Sequence, residues 1–261
     1  MTMRILLAFV LIAAIAAPAC AEIKSRPITY RLGTERFEGT LVKETTLKGS
    51  APGVLVFHAW MGPGDNEMKH AKLLAKMGYV VLIADIYGKG IRPKDATEAA
   101  AFAGKYKADR KLLRSHAIAA LDALKENKTV DPARIGAIGF CFGGTTALEL
   151  ARSGADLKAV VTFHGGLDSP APQDGKDIKA KLLILHGADD PYNPAKDVAA
   201  FQDELRAAHV DWQMVYFGGA VHSFTDVSAG TDNSKGAAYN ALADKRSWEM
   251  ASAFLSDVLG K

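Results

Sequence analysis

Gly139-Phe140-Cys141-Phe142-Gly143-Gly144 is the part of this sequence best suited to covalent chemistry. It follows an apolar run and opens a helical one, the setting of the Gly-x-Ser-x-Gly nucleophile turn with cysteine in the serine position. A nucleophile on such a turn sits on a strained backbone, so the positions two residues away must lack bulk. The turn also places the thiol at a helix N-terminus, where the dipole favours the thiolate. The competing reading of the same residues is a buried structural cysteine in a glycine-rich turn. A nucleophile needs a base, and the base needs a carboxylate to orient it. His222 follows the last apolar run, and His186-Gly187-Ala188-Asp189-Asp190-Pro191 follows the one before, offering two acids. Local reasoning leaves Asp189 and Asp190 equivalent. The chain order nucleophile, acid, histidine is the one that a strand-alternating hydrolase uses.

These residues need elements to hold them. Apolar runs at 28–32, 37–42, 54–57, 79–84, 134–140, 157–163, 181–185 and 212–216 read as strands. Helical spacing falls at 66–77, in one or two helices over 97–127, and at 145–152, 194–208 and 237–259. Asp131-Pro132 reads as a turn. Strands apolar on both faces and alternating with helices predict a mostly parallel sheet covered on each side, an α/β fold. Chemistry in such sheets gathers beyond the carboxyl ends of the strands. An oxyanion would rest on the Phe142 N–H, next to the nucleophile, and on a second N–H from the loop after strand 54–57, for which Trp60 is the candidate.

Several of these pieces resemble the dienelactone hydrolase family, the cysteine branch of the α/β-hydrolases. The matching residues are Gly-Phe-Cys-Phe-Gly-Gly, Gly187-x-x-Asp190, His222-Ser223-Phe224, Ala84-Asp85-Ile86-Tyr87-Gly88 and His58-x-Trp60-x-Gly62. The resemblance runs from about residue 28 to the end. It implies an α/β-hydrolase fold over 22–261 and a Cys141-His222-Asp190 triad, with Asp189 as an exposed neighbour. The implied activity is cleavage of small esters or lactones through an acyl-thioester, with no metal and no cofactor. The pocket would draw on His58, Ala59, Tyr87, Phe140, His164 and Phe224, with the segment 93–107 as its cap. Two positions depart from the family pattern. Ala59 stands where an acid commonly helps control the thiol, and Asp226 stands where an arginine helps bind a substrate carboxylate. The first departure motivates an alternative, a non-catalytic binding protein of the same fold.

The other histidines call for blander readings. His164 and His186 are expected to hydrogen-bond within strand-end turns, and His70, His116 and His209 to lie at or near the surface. None shows the spacing of a zinc site. A redox-sensing thiol is disfavoured because no resolving cysteine accompanies Cys141 once Cys20 is removed.

The 261 residues suit one large α/β domain or two small ones. A net charge of +3, spread without a basic run, gives no support to nucleic-acid binding. The start of the chain is different in kind. Arg4, the apolar run Ile5–Ala17 and Ala19-Cys20-Ala21 form the pattern of a secretory signal over 1–21. The expectation is export, with a periplasm as the natural compartment, no stable membrane insertion after cleavage, and lipid anchoring at Cys20 as the lesser alternative. Cleavage after Ala21 would leave 31 basic and 29 acidic residues. The partner is a small-molecule substrate; oligomeric state has no signature in the sequence.

Overall fold

The computed structural model describes residues 22–47 and 49–260. The expected export signal and Cys20 lie outside the described residues. An antiparallel hairpin opens the chain, β1 (Ile23–Leu32) and β2 (Glu35–Glu44), followed by β3 (Ala51–Phe57), α1 (Asp65–Lys76) and β4 (Val80–Ala84). Then come α2 (Ala96–Ala108), α3 (Arg110–Lys125), β5 (Val130–Phe140), α4 (Phe142–Arg152) and β6 (Ala159–Phe163). The chain ends with β7 (Lys181–Gly187), α5 (Ala195–Ala207), β8 (Trp212–Phe217) and α6 (Ala241–Leu259). The strands form one sheet in the order β1-β2-β4-β3-β5-β6-β7-β8. The β1–β2 and β2–β4 pairs are antiparallel and the rest are parallel.

β3 and β4 are buried along their whole length, as strands covered on both faces must be. One face carries α3, α4 and α5, whose Leu121, Leu148 and Phe201 share a core with Leu55, Ala137 and Ile184 of the sheet. The other carries α1 and α6, whose Leu74 and Leu255 pack with Val56, Ile138 and Val161. The fold is the expected α/β-hydrolase arrangement.

The helix borders follow capping chemistry. The Asp95 carboxylate accepts the Glu98 N–H at 2.9 Å and so starts α2. Asp109 does the same for α3 through the Leu112 N–H, also at 2.9 Å, so the helical run over 97–127 is two helices broken at Asp109. α6 begins at Asn240, whose side chain caps the Ala243 N–H, and residues 237–240 are extended rather than helical. The Asp131-Pro132 turn is absorbed into β5 as an irregularity: Pro52 pairs with Asp131, but Gly53 pairs with Ile135. β1 is an edge strand, and Lys24, Arg26 and Arg31 stand exposed along it with Pro27.

Gly139 and Gly143 let β5 turn into α4. A Cβ on Gly139 would stand 1.9 Å from the Gly143 carbonyl oxygen, and one on Gly143 would stand 2.1 Å from the Phe57 carbonyl oxygen. Both obstacles are backbone, which cannot move aside. Gly143→Ala is therefore expected to destabilise the fold by about 2–4 kcal/mol, read as a fall in Tm. Gly104→Ala, within α2 and with nothing near its Cβ position, is expected to be neutral or stabilising by about 0.5–1 kcal/mol. Equal Tm values for the two variants would contradict this account of the turn.

Candidate active site

Cys141 is the pivot between β5 and α4, with φ 53° and ψ −116°. For a residue with a side chain, that conformation costs about 1–3 kcal/mol. It is held by the Cys141 N–H, which faces the Phe163 carbonyl at 3.1 Å and His164 Nδ1 at 3.2 Å. The residue as a whole is half-buried.

Asp190 lies just beyond β7, with its carboxylate buried. One oxygen accepts the Tyr192 N–H at 2.8 Å; the other accepts the Asn193 side-chain amide at 2.9 Å and His222 Nδ1–H at 2.8 Å. Asp189 is exposed and accepts the Gly219 N–H at 3.0 Å, so its carboxylate braces the turn after β8. The loop after β8 is long, yet His222 is fixed within it. Its N–H donates to the Gly236 carbonyl at 3.2 Å, and its carbonyl accepts the Ala238 N–H at 2.9 Å. The Tyr192 ring meets the imidazole edge-on, 5.2 Å between centroids. With Nδ1 committed to Asp190, Nε2 is the nitrogen left for the Cys141 sulfur, whose charge acts on the imidazole.

The electrostatics follow from this geometry. Burial pushes the Cys141 thiol up, but the His222 charge, the Phe142 N–H and the Lys107 charge outweigh it and leave the thiol below its usual range. Burial pulls His222 down, but the sulfur's charge and the Asp190 hydrogen bond outweigh it and leave the imidazole above its usual range. The two shifts point the same way, toward the thiolate–imidazolium form of the pair. Burial drives His164 well below its usual range, reinforced by the His222 charge. His164 is thus neutral: Nδ1 accepts the Cys141 N–H, and Nε2–H donates to Thr225 Oγ at 2.9 Å.

The first loop is held just as closely. His58 is fully buried and its pKa is pushed down to about 4, chiefly by burial. Its Nδ1–H donates to the Ala59 carbonyl at 2.7 Å, and its Nε2 accepts the Ile86 N–H at 3.2 Å. The Trp60 carbonyl accepts the Tyr87 hydroxyl at 2.7 Å. Glu67 was missed by the sequence reading. Its buried carboxylate accepts the Ala59 N–H at 3.1 Å and the Gly64 N–H at 2.9 Å. Burial, and secondarily the charge of Asp226, raise its pKa despite those two donors. The available signal was Glu67 at the third position of α1 after Gly64, half of a capping box. Thr225, which seats His164, carried no signal beyond lying near His222.

The expected pocket residues divide. Tyr87 and Phe142 stack 5.7 Å apart, His58 meets both rings, and Tyr106 and Phe102 of α2 pack on Tyr87. The segment 93–107 thereby lies over this aromatic wall. Phe140 and Phe224 do not line the pocket. Both are fully buried in the core of the α1/α6 face, Phe140 stacked on Phe163 and Phe224 set edge-on beneath His164. Alternation places Phe140 one residue before Cys141 on the far side of the sheet.

His70 and His116 are likewise buried rather than superficial. His70 donates to the Asn66 carbonyl between Phe140 and Trp248, and His116 bonds the Ile86 carbonyl. His186 packs edge-on against Tyr216. Among the described residues no cluster of three His, Cys, Asp or Glu is arranged to hold a metal ion, and no helix is long and apolar enough to cross a membrane.

The ion pair predicts a reactivity profile. Alkylation of Cys141 by iodoacetamide should stay fast well below the free-thiol range near pH 8.5, falling only as acid protonates the sulfur. Asp190→Asn should weaken the imidazolium and move that fall to higher pH. A profile centred near 8.5 in the native protein would show that no ion pair forms.

A model of the dienelactone hydrolase family matches residues 37–259. A dienelactone hydrolase-like promiscuous phosphotriesterase, P91 from metagenomic libraries, superposes with a TM-score of 0.85 at 41% identity, covering 90% of this chain and 98% of its own. The solved structure called m3DLH does so with a TM-score of 0.87, also at 41% identity, covering 91% of this chain and 99% of its own. A Bradyrhizobium protein named probable 2-oxo-3-(5-oxofuran-2-ylidene)propanoate lactonase is 31% identical over 67% of this chain and 74% of its own length.

Proposed function

The chain belongs to the dienelactone hydrolase family and is a lactone or ester hydrolase, and on that premise we propose that its reaction runs through Cys141, His222 and Asp190. The observation that carries this reading is the 2.8 Å contact from His222 to a buried Asp190, with Cys141 on a strained turn whose thiol feels the charge of that same imidazole.

The Cys141 thiolate attacks the carbonyl carbon and the carbonyl electrons move to oxygen. That oxyanion rests on the Phe142 N–H and on the Trp60 N–H, whose loop is fixed by Glu67, His58 and Tyr87. Collapse of the intermediate breaks the C–O bond, and the His222 imidazolium protonates the departing alkoxide. The acyl-thioester is then opened by water. His222, now neutral, takes a water proton, hydroxide adds to the acyl carbon and the thiolate leaves. Asp190 holds the imidazole in the tautomer that both steps need. The reaction requires no metal or organic cofactor.

The test is hydrolysis of a nitrophenyl ester and a small unsaturated lactone by residues 22–261, beside Cys141→Ala. Turnover by the former and a loss of at least about 10³-fold in the variant is the expected result. Equal turnover would overturn the cysteine mechanism. A folded native protein turning over neither substrate would restore the ligand-binding alternative.

The likeness to P91 favours a second substrate class, neutral phosphotriesters with a good leaving group, in which the thiolate attacks phosphorus. It predicts slow release of nitrophenol from such a compound by the native protein and none by Cys141→Ala.

The Arg4, Ile5–Ala17 and Ala19-Cys20-Ala21 pattern supports an exported site of action. Recovery of a chain beginning at Glu22 outside the cytoplasm would bear this out. Full-length cytosolic protein would overturn it.

A further inference from the structure

We propose that Lys107, near the end of α2, is a positioning residue of the reaction: its ammonium sets a positive field over the Cys141 thiolate and draws anionic groups to it. The inference rests on Cys141 being the nucleophile.

Four observations place the charge there. α2 lies over the aromatic wall, with Tyr106, the residue before Lys107, packed against Tyr87 and Phe142. Lys107 Nζ comes within 3.3 Å of the point where Gly166 would carry a Cβ, and Thr145 Oγ comes within 2.8 Å of that point. Thr145 belongs to the first turn of the helix that Cys141 caps; its N–H faces the Cys141 carbonyl, and its hydroxyl donates to the Gly166 carbonyl at 3.2 Å. The ammonium therefore stands beside the helix N-terminus that presents the sulfur, and its charge acts on the thiol.

Lys107 is also uncommitted. Among the described residues no carboxylate oxygen lies within 4.0 Å of its Nζ. The nearby Asp168 is bonded instead to Arg110, at 2.6 Å. Arg92, close to Tyr87, is bonded to the buried Asp85 at 3.1 Å. The other groups facing the sulfur are His222 with its Asp190, neutral His164 and the Tyr87 phenol, which burial and the thiolate keep protonated. On the first-loop side, Glu67 and Asp226 are acids. Lys107 is thus a cation at this mouth free to meet an incoming anion, whereas the Lys105 ammonium lies over the Tyr106 ring, 5.3 Å from its centroid. A lysine on a flexible stem suits that task, since it can follow a group rather than clamp it.

The experiment compares alkylation of Cys141 by anionic iodoacetate and by neutral iodoacetamide across pH. It uses the native protein, Lys107→Met, Lys107→Arg and, as an equal change of net charge on the same helix, Lys105→Met. Lys107→Met should lower the iodoacetate-to-iodoacetamide rate ratio about five-fold, the order of effect of one unit charge screened by water. It should also move the thiol's titration to higher pH. Lys107→Arg should restore both, and Lys105→Met should leave both near native. Far-ultraviolet dichroism and Tm confirm that each variant is folded. A reactive Cys141 whose ratio is unchanged in Lys107→Met, or lowered equally in Lys105→Met, overturns the role of Lys107 while leaving the nucleophile intact. A Cys141 that neither reagent modifies in the native protein overturns the nucleophile and the present inference with it.

Discussion

The contact between Gly143 and the carbonyl of Phe57 is the constraint on which the site depends. Helix α4 approaches β3 so closely that no side chain fits between them, and this approach raises Cys141 onto its left-handed backbone position. Once the turn is forced, the Cys141 N–H must find acceptors away from a regular ladder, and it finds the end of β6 and the ring of His164. His164 in turn needs a partner for its other nitrogen, which Thr225 supplies, and Thr225 lies on the same loop as His222. A backbone squeeze at one strand end thereby fixes the loop that carries His222, some eighty residues later in sequence.

The elements were legible because their signals are local. Strands buried on both faces read as continuous apolar runs, and the Cys141 turn announces itself through three glycines in six residues. Asp190 was separated from Asp189 only through family resemblance, and the structure gives the physical difference: Asp190 is buried against His222, while Asp189 points outward to the Gly219 amide. Phe140 and Phe224 misled because closeness in sequence to Cys141 or His222 does not decide which side of a sheet a ring takes. His70 and His116 misled for a related reason, since a helix next to a parallel sheet buries any residue on its inner face, polar or not. Glu67 could not be weighed because its task is to satisfy two backbone groups of a loop whose path the sequence does not reveal.

Ala59 also takes on a different meaning. The position lacks a carboxylate side chain, yet a carboxylate is present, entering from Glu67 of α1 and bonded to the Ala59 amide. It supports the loop's backbone. Control of the sulfur falls to His222, the Phe142 N–H and the lysine overhead. The acid of this loop shapes the path of the chain, through the Ala59 and Gly64 amides.

The hairpin at the start of the sheet has a consequence outside the site altogether. β1 offers a row of backbone donors and acceptors to any passing strand, the geometry from which fibrils and swapped dimers grow. Lys24, Arg26 and Arg31 would bring like charges together if two such edges met, and Pro27 removes one donor from the row. A long exposed edge can then coexist with high local concentration, because the first collision between two copies is repulsive along the seam where pairing would begin.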